Sequence, residues 1–360
     1  MIGRPRPAVT GLPAYRPGKS AAQAASEQGL AEAIKLASNE TPWGPLPSIQ
    51  EAIARAAAGG NRYADHRCSE LRARLADRVG VTAENVTVGN GSVGLLQQIY
   101  LSYVERGAEV VYPWRSFEVY PIYTQLVGGI EVTTPLVDEA FDLDAVAAAV
   151  TERTSLMVLA NPNNPTGTAV SIDQVADLLD RVPDDIIVVL DEAYREFMSD
   201  DLGEPIGAGL LEAHPNLVIT RTFSKAHGLA GFRVGYAVGH PEVVELVDRT
   251  LVPFAVNQVA QAAALAALEP AAEAELRERV EVIVGQRDRL ISELGRLGLE
   301  VPDSQANFVW IPSGGRTLEL TRSLEQRGLV TRPFEGEGLR ITASTPSETD
   351  RVIEALEEIL

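Results

Sequence analysis

Cysteine is nearly absent from this chain: Cys68 is the only one in 360 residues. That excludes an internal disulfide and any zinc site built on thiolates, and makes a cytoplasmic compartment the expectation. The four histidines, His66, His214, His227 and His240, show no metal-ligand spacing, so no metal is expected. No run approaches the roughly 18 apolar residues of a bilayer span, and the N-terminal stretch has no signal-peptide apolar segment, so no membrane partner is expected. Positive charge is also short. Lys and Arg number 31 against 50 Asp and Glu, a net charge of -19, and nucleic acid would be repelled over most of such a surface. The same deficit makes individual arginines informative, because any anionic ligand must be held by local cations or helix N-termini that oppose the overall field. Neither a P-loop Gly-Lys-Ser nor a dinucleotide fingerprint occurs.

What is present is an ordinary soluble composition, 45% hydrophobic and 22% charged, on a chain long enough for two domains. Residues 1–18, rich in Pro, Arg and Gly, read as an extended arm. Helical patterns follow over 47–58, begun by Pro47 and ended by Gly59-Gly60, and over 71–79, stopped by Gly80. A strand-then-helix rhythm then sets in: strands over 86–88, 110–112, 130–133, 155–160, 186–190 and 216–220, helices over 93–103, 116–127 and 143–150. Alternation of this kind predicts an α/β domain with a mainly parallel sheet covered by helices. Past Pro253 the texture changes to an Ala-rich stretch over 255–268, a long charged helix over 271–297, and short strands and helices that read as a smaller α+β domain.

Open parallel sheets bind ligands beyond the carboxyl ends of their strands, so the strand exits are the candidate site. After Val88, Gly89-Asn90-Gly91-Ser92 would turn backbone N–H groups and a helix N-terminus toward a phosphate, or would simply make a tight turn. After Ala160, Asn161-Pro162-Asn163-Asn164-Pro165-Thr166-Gly167 carries two X-Pro steps that favour a rigid, extended backbone. Asp191-Glu192-Ala193-Tyr194 follows an apolar run. A carboxylate there is costly to bury unless it meets a cation or a strong donor, although it could also cap a helix. After Thr220, the stretch Arg221-Thr222-Phe223-Ser224-Lys225 presents Ser224 and Lys225 in a turn that Gly228 and Gly231 loosen before Arg233.

Taken in order, Asn164-Pro165-Thr166-Gly167, Asp191 with Tyr194, and Ser224-Lys225 with Arg233 resemble the cofactor segments of fold-type I pyridoxal-phosphate aminotransferases. The resemblance is to the histidinol-phosphate and aromatic amino acid aminotransferase family, class I and II, and runs from about Tyr15 to the last helix. It implies pyridoxal 5'-phosphate as cofactor, a large cofactor-binding α/β domain over 46–254, a small α+β domain from 31–45 and 255–360, and an N-terminal arm over 1–30. By that resemblance Lys225 holds the cofactor covalently and moves a proton as general acid and base, and Asp191 pairs with the ring nitrogen. Asn164 and Tyr194 bond the ring oxygen, and Phe117 stacks on the ring where many relatives have tyrosine. Gly91, Ser92, Val93, Ser224 and Arg233 hold the phosphate. Tyr63 reaches the phosphate of the neighbouring subunit, which implies a homodimer. Arg340 grips the substrate carboxylate, with Arg332, Asn307, Asn39 and Tyr15 also facing substrate.

Trp114-Arg115-Ser116-Phe117 and Phe254-Ala255-Val256 resemble the actinobacterial branch described as aromatic amino acid aminotransferases. The implied reaction passes an amino group between phenylalanine, tyrosine or tryptophan and a 2-oxo acid such as 2-oxoglutarate. Histidinol phosphate is the alternative donor, since Arg332 and Arg340 suit either anion. A lyase or decarboxylase on the same scaffold and a non-catalytic relative are the readings from other classes.

Overall fold

In the computed structural model, which describes residues 3–12, 19–204 and 209–360, the alternating pattern becomes a large twisted sheet. Strand β1 (Ile34–Lys35) stands apart. Strands β2 (Val86–Gly89), β3 (Glu109–Trp114), β4 (Ile130–Val137), β5 (Ala140–Phe141), β6 (Thr154–Ala160), β7 (Ile187–Asp191), β8 (Leu217–Thr222) and β9 (Gly235–Gly239) form one eight-stranded sheet in the order β2-β9-β8-β7-β6-β3-β4-β5. Its central pairs, β4-β3-β6-β7-β8, are parallel, whereas β9 is antiparallel to both neighbours and β5 to β4. Strands β10 (Phe308–Ile311), β12 (Arg332–Phe334) and β13 (Gly338–Thr342) make a second, antiparallel sheet, and β11 (Leu329–Val330) pairs with β1.

Strand alternation divides the core. Val188, Leu190, Leu217 and Ile219 pack into one hydrophobic cluster, and Ile187, Val189 and Val218, which alternate with them in sequence, pack into another on the opposite face. This is why the central strands read as unbroken apolar runs. A third cluster, with Leu36, Ile283, Leu290, Phe308, Ile341 and Leu356, lies around the second sheet.

Residue 255, where the small unit is expected to resume, lies before a helix that packs on the large sheet. In the helix Gln258–Ala267, Ala260, Ala263, Ala264 and Ala267 pack into the large-sheet core beside the helix Pro47–Ala57. Alanine on that face lets the two helices approach closely. The change of core occurs inside the helix Pro270–Arg296, where Ala272 and Leu276 join the sheet core and Ile283, Leu290 and Leu294 the small one.

Three local expectations also change. The helix expected from Ser116 begins at Val119, because Ser116 donates instead to Asn163 Oδ1 at 2.8 Å and the segment before the helix borders the cleft described below. The arm expected to be wholly extended has a helical turn at Pro7–Thr10. The loop after β6 has cis bonds at Asn161-Pro162 and Asn164-Pro165, and Asn161 closes it with side-chain bonds to both the N–H and the carbonyl of Val170. Strand β9 and the helix Pro241–Asp248 had no counterpart in the sequence pattern. Among the described residues, no helix is long and apolar enough to cross a membrane.

Candidate active site

The ends of β6, β7 and β8 lie in register, Ala160 beside Asp191 beside Thr220. The loops that leave them therefore open into one place, a cleft of about 330 Å³ whose far wall comes from residues 37–40 and from β12 and β13. It is the switch from strand to loop that exposes polar side chains there.

Asp191 is 4% exposed. Its two carboxylate oxygens accept from Thr220 Oγ1 at 2.9 Å and from Tyr120 Oη at 3.0 Å. Burial pushes its pKa up to about 6, and these two hydroxyls oppose the rise. Glu192, one residue later, points to the other face of the sheet. There Arg221 donates to its Oε2 from Nε at 2.8 Å and from Nη2 at 2.7 Å. Strand alternation thus separates two adjacent carboxylates, and only Asp191 borders the cleft.

Lys225 enters from the loop after β8, with Nζ donating to the Ser38 carbonyl at 3.0 Å. Burial, followed by the charges of Arg340, Arg233 and Lys35 against an opposing pull from Glu40, brings its pKa down to about 7. Near neutrality a large share of such an amine is uncharged and nucleophilic.

At the opposite side, the helix Gly91–Tyr103 starts where β2 ends. Arg233 Nη1 lies 3.4 Å from Ser224 Oγ, which also accepts from Thr222 Oγ1 at 2.9 Å. A Cβ on Gly91 would come within 2.7 Å of Arg233 Nη2, and one on Gly235 within 2.6 Å of the Ser92 backbone N. Glycine at both positions allows a guanidinium and a helix N-terminus to converge, which makes a cradle for an anion.

The far wall ties the two units together. Asn39 donates to Tyr194 Oη at 2.8 Å, and Thr342 Oγ1 donates to Asn39 Oδ1 at 3.1 Å. Arg340 donates to the Ala37 carbonyl at 2.8 Å and to Asn164 Oδ1. Arg332 Nη2 donates to Glu118 Oε2 at 2.8 Å.

Of the residues anticipated from sequence, Ser92, Val93, Phe117, Asn164, Asp191, Tyr194, Ser224, Lys225, Arg233, Arg332, Arg340 and Asn39 all border this cleft. Gly91 sits behind it, against Arg233. Asn307 is not on the wall; it donates to the Asn39 carbonyl at 3.2 Å and steadies that segment. Tyr63 is away from the cleft of its own chain, 83% exposed and stacked on Phe254 at 4.5 Å. Tyr15 lies outside the described residues. Sequence reasoning missed Tyr120, Thr220, Ser38 and Glu118. For Tyr120 a signal existed, since it lies three residues from Phe117 near the start of a helix. Thr220 needs the register of β7 and β8, which no local pattern reveals.

A sequence-family model for aminotransferase class I and II matches residues 31–356. The chain belongs to that family. Relatives of this aminotransferase include the aromatic amino acid aminotransferase of Thermobifida fusca, 51% identical over 345 residues that cover 96% of this chain and 94% of that protein. The protein of the same description from Mycobacterium bovis (strain BCG / Pasteur 1173P2) is 46% identical over 352 residues, 97% of this chain and 96% of that one. Among solved structures, histidinol-phosphate aminotransferase from Sinorhizobium meliloti, in complex with pyridoxal-5'-phosphate, superposes with a TM-score of 0.89 at 31% identity, covering 100% of this chain and 98% of that one. A single mutant of Thermus thermophilus aspartate aminotransferase gives 0.83 at 25% identity, with 100% of both chains covered. The fold is thus that of the fold-type I aminotransferases, as the motifs implied.

The cleft suits pyridoxal phosphate on three independent chemical grounds. The glycine-opened cradle fits its phosphate, the buried Asp191 carboxylate calls for the cation that a protonated ring nitrogen provides, and Lys225 is an amine poised to react with an aldehyde.

Proposed function

We propose that this aminotransferase binds pyridoxal phosphate and passes an amino group between an aromatic amino acid and a 2-oxo acid such as 2-oxoglutarate, working as a homodimer with shared sites. The observation that carries the cofactor assignment is the meeting of Asp191, Lys225 and the Arg233 cradle on one cleft. The choice of aromatic donors draws on the descriptions of the relatives that are 51% and 46% identical.

Bound here, pyridoxal phosphate would supply an electron sink that makes a proton on the substrate α-carbon labile. The chain does the rest. Arg233, Ser224 and the amides at the start of the helix Gly91–Tyr103 would hold the phosphate. Asp191, ionised and clamped by two hydroxyls, would keep the ring nitrogen protonated. Phe117 offers a flat apolar face, and Tyr194 and Asn164 would bond the ring oxygen. Arg340 would bind the substrate α-carboxylate and fix the α-carbon within reach of Lys225. Lys225, whose pKa of about 7 leaves a share of the amine uncharged near neutrality, would take the proton from that carbon and carry it to the aldehyde-derived carbon of the cofactor.

The test is steady-state kinetics with pyridoxal phosphate present. Glutamate should form from 2-oxoglutarate with phenylalanine, tyrosine and tryptophan as donors, and Lys225→Ala should abolish both this turnover and the visible absorption of the bound cofactor. The likeness to the Sinorhizobium meliloti enzyme favours histidinol phosphate as the second reading. A kcat/KM for histidinol phosphate far above that for phenylalanine would reverse the order. A product released without glutamate formation would point to a lyase.

A further inference from the structure

Once Asp191, Lys225 and Arg233 are given to the cofactor, the charged side chains left on the cleft wall among the described residues are Glu40, Glu118, Arg332 and Arg340, two of each sign. Arg332 and Arg340 are direct cross-strand partners on β12 and β13, so their guanidinium groups share one face of the small sheet and repel. They are held by different chemistry. Arg340, 7% exposed, donates to the neutral Ala37 carbonyl and Asn164 amide oxygen. Arg332 leans on a carboxylate, Glu118, which directly precedes the helix Val119–Val127 and follows Phe117. The pair is lopsided in exposure: the Arg332 side chain is 14% exposed and that of Glu118 35%.

Ping-pong chemistry requires one cleft to take two side chains in turn. An aromatic donor brings no charge at that end, and the 2-oxo acid that follows brings a second carboxylate. Resting on the function proposed above, we infer that Glu118 is a specificity-determining residue, a displaceable counter-anion that neutralises Arg332 beneath an aromatic side chain and yields it to the distal carboxylate of a dicarboxylic substrate. Without Glu118, an aromatic ring would cover the Arg332 guanidinium with the carboxylate that now pairs with it removed, which is costly. With it, the ring meets a guanidinium–carboxylate pair of zero net charge. An incoming diacid replaces one carboxylate by another on Arg332, and Glu118, the more exposed member, turns to solvent.

Glu118→Gln keeps the size of the side chain and removes its charge, so it separates this role from simple packing. The probes are two competitive inhibitors that bind without turnover, succinate as the dicarboxylate and 3-phenylpropanoate as the aromatic monocarboxylate. In Glu118→Gln the succinate inhibition constant should tighten about fivefold, the scale of a partly exposed ion pair, while that of 3-phenylpropanoate stays the same or weakens. The KM for 2-oxoglutarate should fall in step. In an Arg332→Gln background the same substitution should leave succinate unaffected, because the pair is already broken. The inference is overturned if the two inhibitors shift together, if succinate binding is unchanged or weaker in Glu118→Gln, or if the effect survives in Arg332→Gln. Failure of the wild-type protein to make glutamate from phenylalanine and 2-oxoglutarate would instead refute the function on which the inference rests.

Discussion

At the scale of single side chains, Asp191 carries a cost that a bound cation offsets. Its pKa is raised from the model-peptide value of 3.8 to about 6 by burial. For a carboxyl shifted upward, the folded state is favoured below the lower value, and that advantage is lost as pH rises through the higher one. The cofactor-free protein therefore bears the full penalty above about pH 6, on the order of 2 to 3 kcal/mol for a shift of this size. Asp191→Asn should raise the Tm of the cofactor-free protein at about pH 8, lose that gain near pH 4, and bind pyridoxal phosphate far more weakly. Scanning calorimetry at the two pH values tests it, and an unchanged Tm at the higher one would refute it. The clamp on the same residue makes a second prediction. Tyr120→Phe and Thr220→Val each remove one donor to the ionised carboxylate, so Asp191 should hold its proton to higher pH. Cofactor affinity should then drop by about tenfold near neutrality, the scale of a hydrogen bond to a charged group, and its fall on acidification should begin at higher pH. Thr220→Ser should restore wild-type behaviour. Fluorescence titration of the cofactor against pH reads all three, and a uniform loss with an unshifted pH profile would mean a packing role alone.

At the scale of strands and helices, what could be read from the sequence and what could not divide along one physical line. Asp191, Asn164 and Lys225 sit just past apolar runs, where the change from buried strand to polar loop is itself a local signal. Tyr120, Thr220 and Ser38 gain their meaning from register across the sheet or from the approach of the small unit, which is information of long range in the chain. Strand β9 went unseen because glycine stands at both its ends, Gly235 and Gly239, and glycine weakens any strand pattern. Yet Gly235 is there for a reason. A Cβ would lie 2.6 Å from the Ser92 N, 2.8 Å from the Arg221 carbonyl and 2.9 Å from the Gly91 carbonyl carbon, all backbone atoms that have little room to yield. Gly235→Ala should therefore cost about 1 to 3 kcal/mol in stability and push the helix start proposed to hold the phosphate out of place. The loss of affinity should be larger for pyridoxal phosphate than for pyridoxal, which lacks the phosphate. Equal losses for the two ligands would show that the anion cradle had not moved.

At the scale of the whole molecule, the alanines of Gln258–Ala267 attach a segment once expected in the small unit to the large one, and the helix Pro270–Arg296 runs from one core to the other. Near the start of the helix Gln258–Ala267 the surface keeps an apolar group: Tyr63 at 83% exposure, Val252 at 67% and Phe254 at 42%, the first and last stacked together. An aromatic pair left in water is poor use of buriable area in a monomer. In the proposed homodimer Tyr63 crosses to the phosphate end of the neighbouring site, so each site depends on both chains. A subunit pairing test follows. Lys225→Ala removes chemistry from a chain's own site, and Tyr63→Ala spoils the site of its neighbour. Each variant should be impaired when alone. Co-expressed with separable tags, the two should form mixed dimers in which one site has an intact lysine from one chain and an intact tyrosine from the other, while the second site lacks both. With random pairing, half the dimers are mixed and half their sites are whole, so the mixture should recover about a quarter of wild-type activity, concentrated in the doubly tagged fraction. Activity in that fraction no greater than the mean of the two parents would show that Tyr63 serves its own chain or no site at all.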